Sequence, residues 1–107
     1  MDVIRHLAID EITPHQVGPG CVSRGLPAIG AVSAWVVDME PGSQWPRVDK
    51  HDELGEHVYV VSGELIEGST RYGAGSYLLY GPNSEHQPRT EIGVRLLGFN
   101  LLASGDA

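Results

Sequence analysis

Apolar residues occur along this chain in short runs, and glycine or proline closes most of them. The run Ala31 to Glu40 is rich in β-branched and aromatic types, which suit a pleated surface, and it predicts a strand. Pro41-Gly42-Ser43 predicts the turn that ends it: proline fixes φ at one turn position and glycine supplies the positive φ of the next. Val58 to Val61 is apolar at every position, which predicts a strand covered on both faces. Glu67-Gly68-Ser69-Thr70 reads as a turn. Tyr77 to Tyr80 predicts another short strand, closed by Gly81-Pro82-Asn83, and Val94 to Leu102 predicts a last, longer one.

The first 27 residues are mixed. Leu7-Ala8-Ile9 and Ile12 read as short strand pieces, and Pro14, Gly18-Pro19-Gly20 and Pro27 break any longer element. Ser104 to Ala107 reads as a frayed tail. No window holds a helical period for three turns. Short strands at close intervals, separated by turn signals, predict an all-β sandwich or small barrel occupying residues 1–107 as a single domain.

Composition narrows the function. A chain of 107 residues builds one domain with a thin core. Its net charge of -7 argues against nucleic acid and against an anionic membrane surface, both of which select basic patches. The single cysteine, Cys21, forms no intrachain disulfide and reads as a small buried residue. The N-terminus lacks the pattern of a signal peptide, and no apolar run has the length to span a bilayer, so a cytoplasmic protein acting on a small molecule is expected.

The candidate chemistry is concentrated in Asp49-Lys50-His51-Asp52-Glu53-Leu54-Gly55-Glu56-His57, just before the apolar run. Alternate side chains of a strand share a face, so Asp49 and His51 point the same way. Glu56 follows a bend at Leu54-Gly55. His86 lies in Tyr80-Gly81-Pro82-Asn83-Ser84-Glu85-His86, which reads as the tip of a tight hairpin and brings the histidine in from a neighbouring strand. Two histidines with one or two carboxylates and no thiol suit Fe(II), Mn, Ni or Zn with open coordination positions rather than a closed structural zinc site. On residue types alone, a solvated acidic loop is the more common reading of such a stretch. Asp52, Glu53 and His57 read as bystanders, His57 because it points to the face opposite Glu56. Trp45, Tyr80 and Arg47 are candidates for the mouth of a pocket, with a core or surface role the more common reading of each, and Arg95 reads as a lone charge on a sheet face.

These motifs resemble those of the small cupins. The first cupin motif puts six residues between a glutamate and a glycine, as between Glu56 and Gly63 here, and four between a histidine and that glutamate, as between His51 and Glu56. Gly75 and His86 match the separation in the second motif. The stretch His86-Gln87-Pro88-Arg89-Thr90-Glu91-Ile92-Gly93 is similar to ChrR-type cupins. Asp49 stands where the family has its first histidine, and Thr90 where it has an asparagine. The resemblance implies a double-stranded β-helix, or jelly-roll barrel. It also implies one divalent metal held by Asp49, His51, Glu56 and His86, with the site degenerate if Asp49 does not bind.

The resemblance implies, first, an enzyme performing dioxygenase-like oxidative cleavage of an enolisable carbonyl compound. A metal-dependent isomerase or cyclase of a polyketide-like or sugar-like substrate is the alternative. A sensor of metal or ligand, or a cupin that keeps a pocket without a metal, completes the set. No residue is identified as a catalytic base. A homodimer is expected from the thin core and the strand apolar on both faces, with small cupins often exchanging N-terminal strands.

Overall fold

The computed structural model describes residues 2–51 and 54–102. It contains nine strands among them: β1 (His15–Gly18), β2 (Cys21–Leu26), β3 (Val32–Met39), β4 (Asp49–Lys50), β5 (Glu56–Glu67), β6 (Thr70–Gly73), β7 (Tyr77–Tyr80), β8 (Glu85–His86) and β9 (Val94–Leu101). Six of them run in the order β1-β2-β3-β9-β5-β6, with β7 also on β5, and β4 pairs with β8 separately. All pairings are antiparallel. The all-β expectation holds. No helix among the described residues is long and apolar enough to cross a membrane.

Strand β5 is the hinge of the architecture. Its first half pairs with β7 and β9, and its second half with β6. The change of partner passes through Gly63, whose φ is +77°. A Cβ there would collide with the carbonyl of Gly93, so only glycine lets β5 bend against β9. The register with β9 shifts beside it, between Val60 and Ser62. Behind the bend, Cys21, Val37, Met39, Val58, Val60, Leu65, Val94 and Leu96 form the buried core.

Four expectations change. Val58 and Val60 are buried, but Tyr59 and Val61 are 42% and 41% exposed, so the apolar run has one covered face. Their neighbours β7 and β9 leave that outer surface open. Leu7-Ala8-Ile9 and Ile12 form no strand; a single 3-10 turn, Ile9–Glu11, stands there. The breakers at Pro19-Gly20 instead make a turn, with φ +72° at Gly20, that joins β1 to β2 as a hairpin. His86 is not on a hairpin partner of β7: its strand β8 crosses to β4, pairing His86 with Asp49. The tail from Ser104 lies outside the described residues.

Arg95 is not alone either. Its guanidinium binds Asp38 through Nε (2.7 Å) and Nη2 (3.0 Å) and reaches Asp10 at 2.6 Å. Arg24 donates to Asp38 (2.7 Å) and to the carbonyl of Ile12 (3.0 Å). This charged network ties the N-terminal segment to β2, β3 and β9.

Candidate metal centre

The β4–β8 ladder places Asp49 directly opposite His86, and directly opposed residues share a face. His51 follows β4 and is fixed by its backbone N–H, which donates to the Ser84 carbonyl at 2.7 Å. Glu56 enters from the start of β5, opposite Tyr80. One ligand-type atom from each of these four residues lies within 4.8 Å of all the others. The spacings are 3.1 Å between His51 Nε2 and His86 Nε2, 3.2 Å and 3.3 Å from Asp49 Oδ2 to each of them, and 3.5 Å from Glu56 Oε2 to His51 Nε2. All four residues named from the sequence therefore converge. Asp52 and Glu53 lie outside the described residues. His57 faces the other way, bonded to Tyr77 Oη at 2.8 Å and stacked on Phe99.

Hydrogen bonding orients both imidazoles. The Ser84 hydroxyl donates to the Gly81 carbonyl (2.7 Å), so its oxygen accepts from His51 Nδ1–H (2.9 Å). His86 Nδ1–H donates to Glu67 Oε1 at 2.5 Å. Each ring thus holds a proton on Nδ1 and turns Nε2 toward the cluster, the arrangement in which a neighbouring acceptor sets the tautomer of a ligating histidine. Glu67 Oε1 also accepts from Tyr80 Oη at 2.6 Å, and Tyr80 stacks on His86.

Glu56 is held in the same manner. Trp35 Nε1 donates to Asn100 Oδ1 (2.9 Å), which leaves the Asn100 amide nitrogen to donate to Glu56 Oε2 (3.1 Å) and the Gly55 carbonyl (3.2 Å). Gly98, opposite Trp35 in the ladder, makes room for the indole, because a Cβ would strike it.

The electrostatics follow from this packing. Burial pushes the Glu56 carboxyl up, and the Asn100 bond only partly offsets it. The bond from His86 holds Asp49 below the usual carboxylate range. For His86, burial disfavours the charged ring, but its bonds to Asp49 and Glu67 outweigh burial and raise it to about 9. Burial, and donation to the Glu67 carboxylate, push the Tyr80 phenol upward.

The donor set can hold a divalent metal. It offers two imidazole nitrogens and two carboxylate oxygens converging at one point, without thiols. Asp49, Glu56 and His86 also line a cavity of about 360 Å³, whose apolar walls include Trp35, Met39, Val58 and Leu96. Trp45 and Tyr80 line it, whereas Arg47 is exposed and is not among the lining residues. Trp45 Nε1 is buried with no hydrogen-bond partner among the described residues.

Sequence reading missed Glu67, Ser84 and Asn100. Asn100 had a signal, an amide inside an otherwise apolar strand, and Ser84 stands two residues before His86. Glu67 had none, because it looks like a charged residue leading into a turn.

The ChrR cupin-like domain family model matches residues 8–101. No curated protein matches the chain. Among solved structures, ChrR from Rhodobacter sphaeroides, in its complex with SigE, superposes with a TM-score of 0.76 at 21% identity. That match covers 87% of this chain and 51% of ChrR, so the chain spans about half of that protein. A predicted oxalate decarboxylase from Thermotoga maritima gives 0.78 at 16% identity, covering 92% of this chain and all (100%) of the other. The polyketide cyclase RemF from Streptomyces resistomycificus gives 0.74 at 14%, covering 94% and 81%. At these identities the structural likenesses establish the cupin fold, and the family match extends over most of the sequence. The chain belongs to the ChrR cupin-like domain family.

Proposed function

We propose that this chain is a divalent-metal-dependent cupin enzyme acting on a small enolisable carbonyl compound, with Asp49, His51, Glu56 and His86 as metal ligands. One observation carries the reading: two imidazole Nε2 atoms 3.1 Å apart, flanked by two carboxylates, at the wall of an apolar cavity. Lone pairs that face each other repel unless a proton or a cation lies between them. A divalent metal in that place supplies Lewis acidity and, as Fe(II), a route for electrons to O₂.

The protein supplies orientation and a dry wall. Ser84 and Glu67 keep both Nε2 atoms turned inward, and Asn100 aims Glu56. Enolisation requires a base, and Glu56 is the candidate only once it has left the metal. In oxidative cleavage O₂ is the oxidant and both its atoms enter the two carbonyl fragments, so no external reductant is needed. The fold likeness to a polyketide cyclase supports cyclisation or isomerisation as the second reading. The likeness to ChrR in its complex with SigE supports a sensor as the third.

Oxygen uptake by the Fe(II)-loaded protein with a panel of diketones tests the reaction. Uptake coupled to carbon–carbon cleavage supports the oxygenase. A loaded protein that consumes no oxygen removes it and leaves the isomerase and the sensor.

The partner proposed is a second copy of the chain. Supporting it, His57, Tyr59, Tyr77, Leu79 and Phe99 share the outer face of β5, β7 and β9, and the last four are exposed. Sedimentation at micromolar concentration distinguishes a dimer from a monomer.

A further inference from the structure

The cavity has a charge character that the cluster alone does not reveal. No lysine or arginine is among the described residues that line it. Four arginines bind carboxylates elsewhere: Arg24 and Arg95 at Asp38, Arg71 at Glu64 and Glu91, and Arg89 at Glu91. Among the described residues, the charge-bearing side chains on the wall are Asp49, Glu56 and His86. Two carboxylates with two neutral imidazoles offset the charge of a divalent cation, and the Glu67 carboxylate behind His86 adds a further negative charge, so the loaded site carries no net positive charge. An anionic ligand would then enter an apolar space with neither a cationic side chain nor a net positive centre to meet it, and desolvating its charge would go uncompensated.

We infer that this site selects uncharged oxygen ligands with an apolar body and rejects carboxylates, and that Asp49 is the residue that sets this charge preference. The inference rests on the metal reading above and narrows its substrate to neutral compounds. The size fits: about 360 Å³ stands at the small end of the ~300–1,000 Å³ typical of ligand pockets. The indole N–H of Trp45, without a partner among the described residues and beside the cavity, adds a donor for a ligand oxygen. Asp49 is also the most exposed of the four at its side chain (39%), so its charge can change with the least disturbance to the core.

The test is a matched pair of ligands added to the Co(II)-loaded protein and followed by the visible Co(II) spectrum and by calorimetry. 2-Hydroxyacetophenone and salicylate share a ring and an ortho hydroxyl and differ mainly in charge at neutral pH. The wild type is expected to bind the ketone at least about tenfold more tightly. Asp49→His, which adds one positive charge to the loaded site, is expected to move that ratio toward salicylate by about tenfold or more. Asp49→Asn makes the same charge change and serves if the histidine variant does not fold. Equal or tighter binding of salicylate by the wild type, or binding of neither compound, overturns the inference while leaving the metal reading standing. Failure of the wild type to take up Co(II) overturns both.

Discussion

His51 and His86 bring their Nε2 atoms to 3.1 Å of each other although the residues are 35 positions apart in the chain. Each ring is locked in that direction from its far side, by Ser84 and by Glu67. The convergence is thus held by the scaffold on both sides.

Removing the outer lock tests this directly. Glu67→Leu leaves His86 Nδ1 without its acceptor and frees the ring to change tautomer. Metal affinity is expected to fall about 10–100-fold, as for other losses of a carboxylate behind a ligating histidine. Glu67→Gln keeps an acceptor oxygen and is expected to recover part of the loss. Nitrogen-15 NMR of the His86 ring in the Zn-loaded proteins reports the tautomer, which a purely structural role for Glu67 would leave unchanged.

Proton competition gives a pH dependence with a definite sign. With no metal bound, His86 titrates near 9, above the ordinary histidine value of 6.5. The stability this contributes to the metal-free protein is full below the unfolded value and is lost as pH rises through about 9. Metal must displace that proton, so affinity is expected to rise by about tenfold per pH unit between 7 and 8 and to level off above about 9. Chelator competition across that range measures it.

The bend in β5 yields a prediction about stability. Gly63→Ala forces a left-handed φ on alanine and drives its Cβ into the Gly93 carbonyl. A loss of at least about 2 kcal/mol is expected from backbone strain and overlap together, read as a lowered urea midpoint. Gly25→Ala, with nothing within 4 Å of the added methyl and no left-handed φ, is the control and is expected to change stability little.

Much of this was legible in the sequence. The runs at Ala31 to Glu40, Tyr77 to Tyr80 and Val94 to Leu102 are strands within a residue or two, because turn chemistry bounds them on both sides. The alternation rule correctly placed Asp49 with His51 and turned His57 away from Glu56. The failures were of tertiary origin. Tyr59 looks buried from its neighbours, but nothing among the described residues packs on the outer face of β5 where it stands. Arg95 looks isolated until β3 brings Asp38 beside it, 57 positions away in the chain. Glu67 is invisible for the same reason: its partners Tyr80 and His86 reach it only through the folded barrel.

The central claim is that these four residues hold one metal ion. Isothermal titration of the metal-free wild type with Zn(II) or Co(II), beside His51→Ala and His86→Ala, tests it most directly. The account predicts one equivalent bound per chain and a melting temperature that rises with the metal. It predicts an affinity loss of more than about 100-fold in either variant, exceeding that of any residue acting from behind a ligand. Wild-type protein that binds neither metal, or variants that bind as tightly as the wild type, would contradict it.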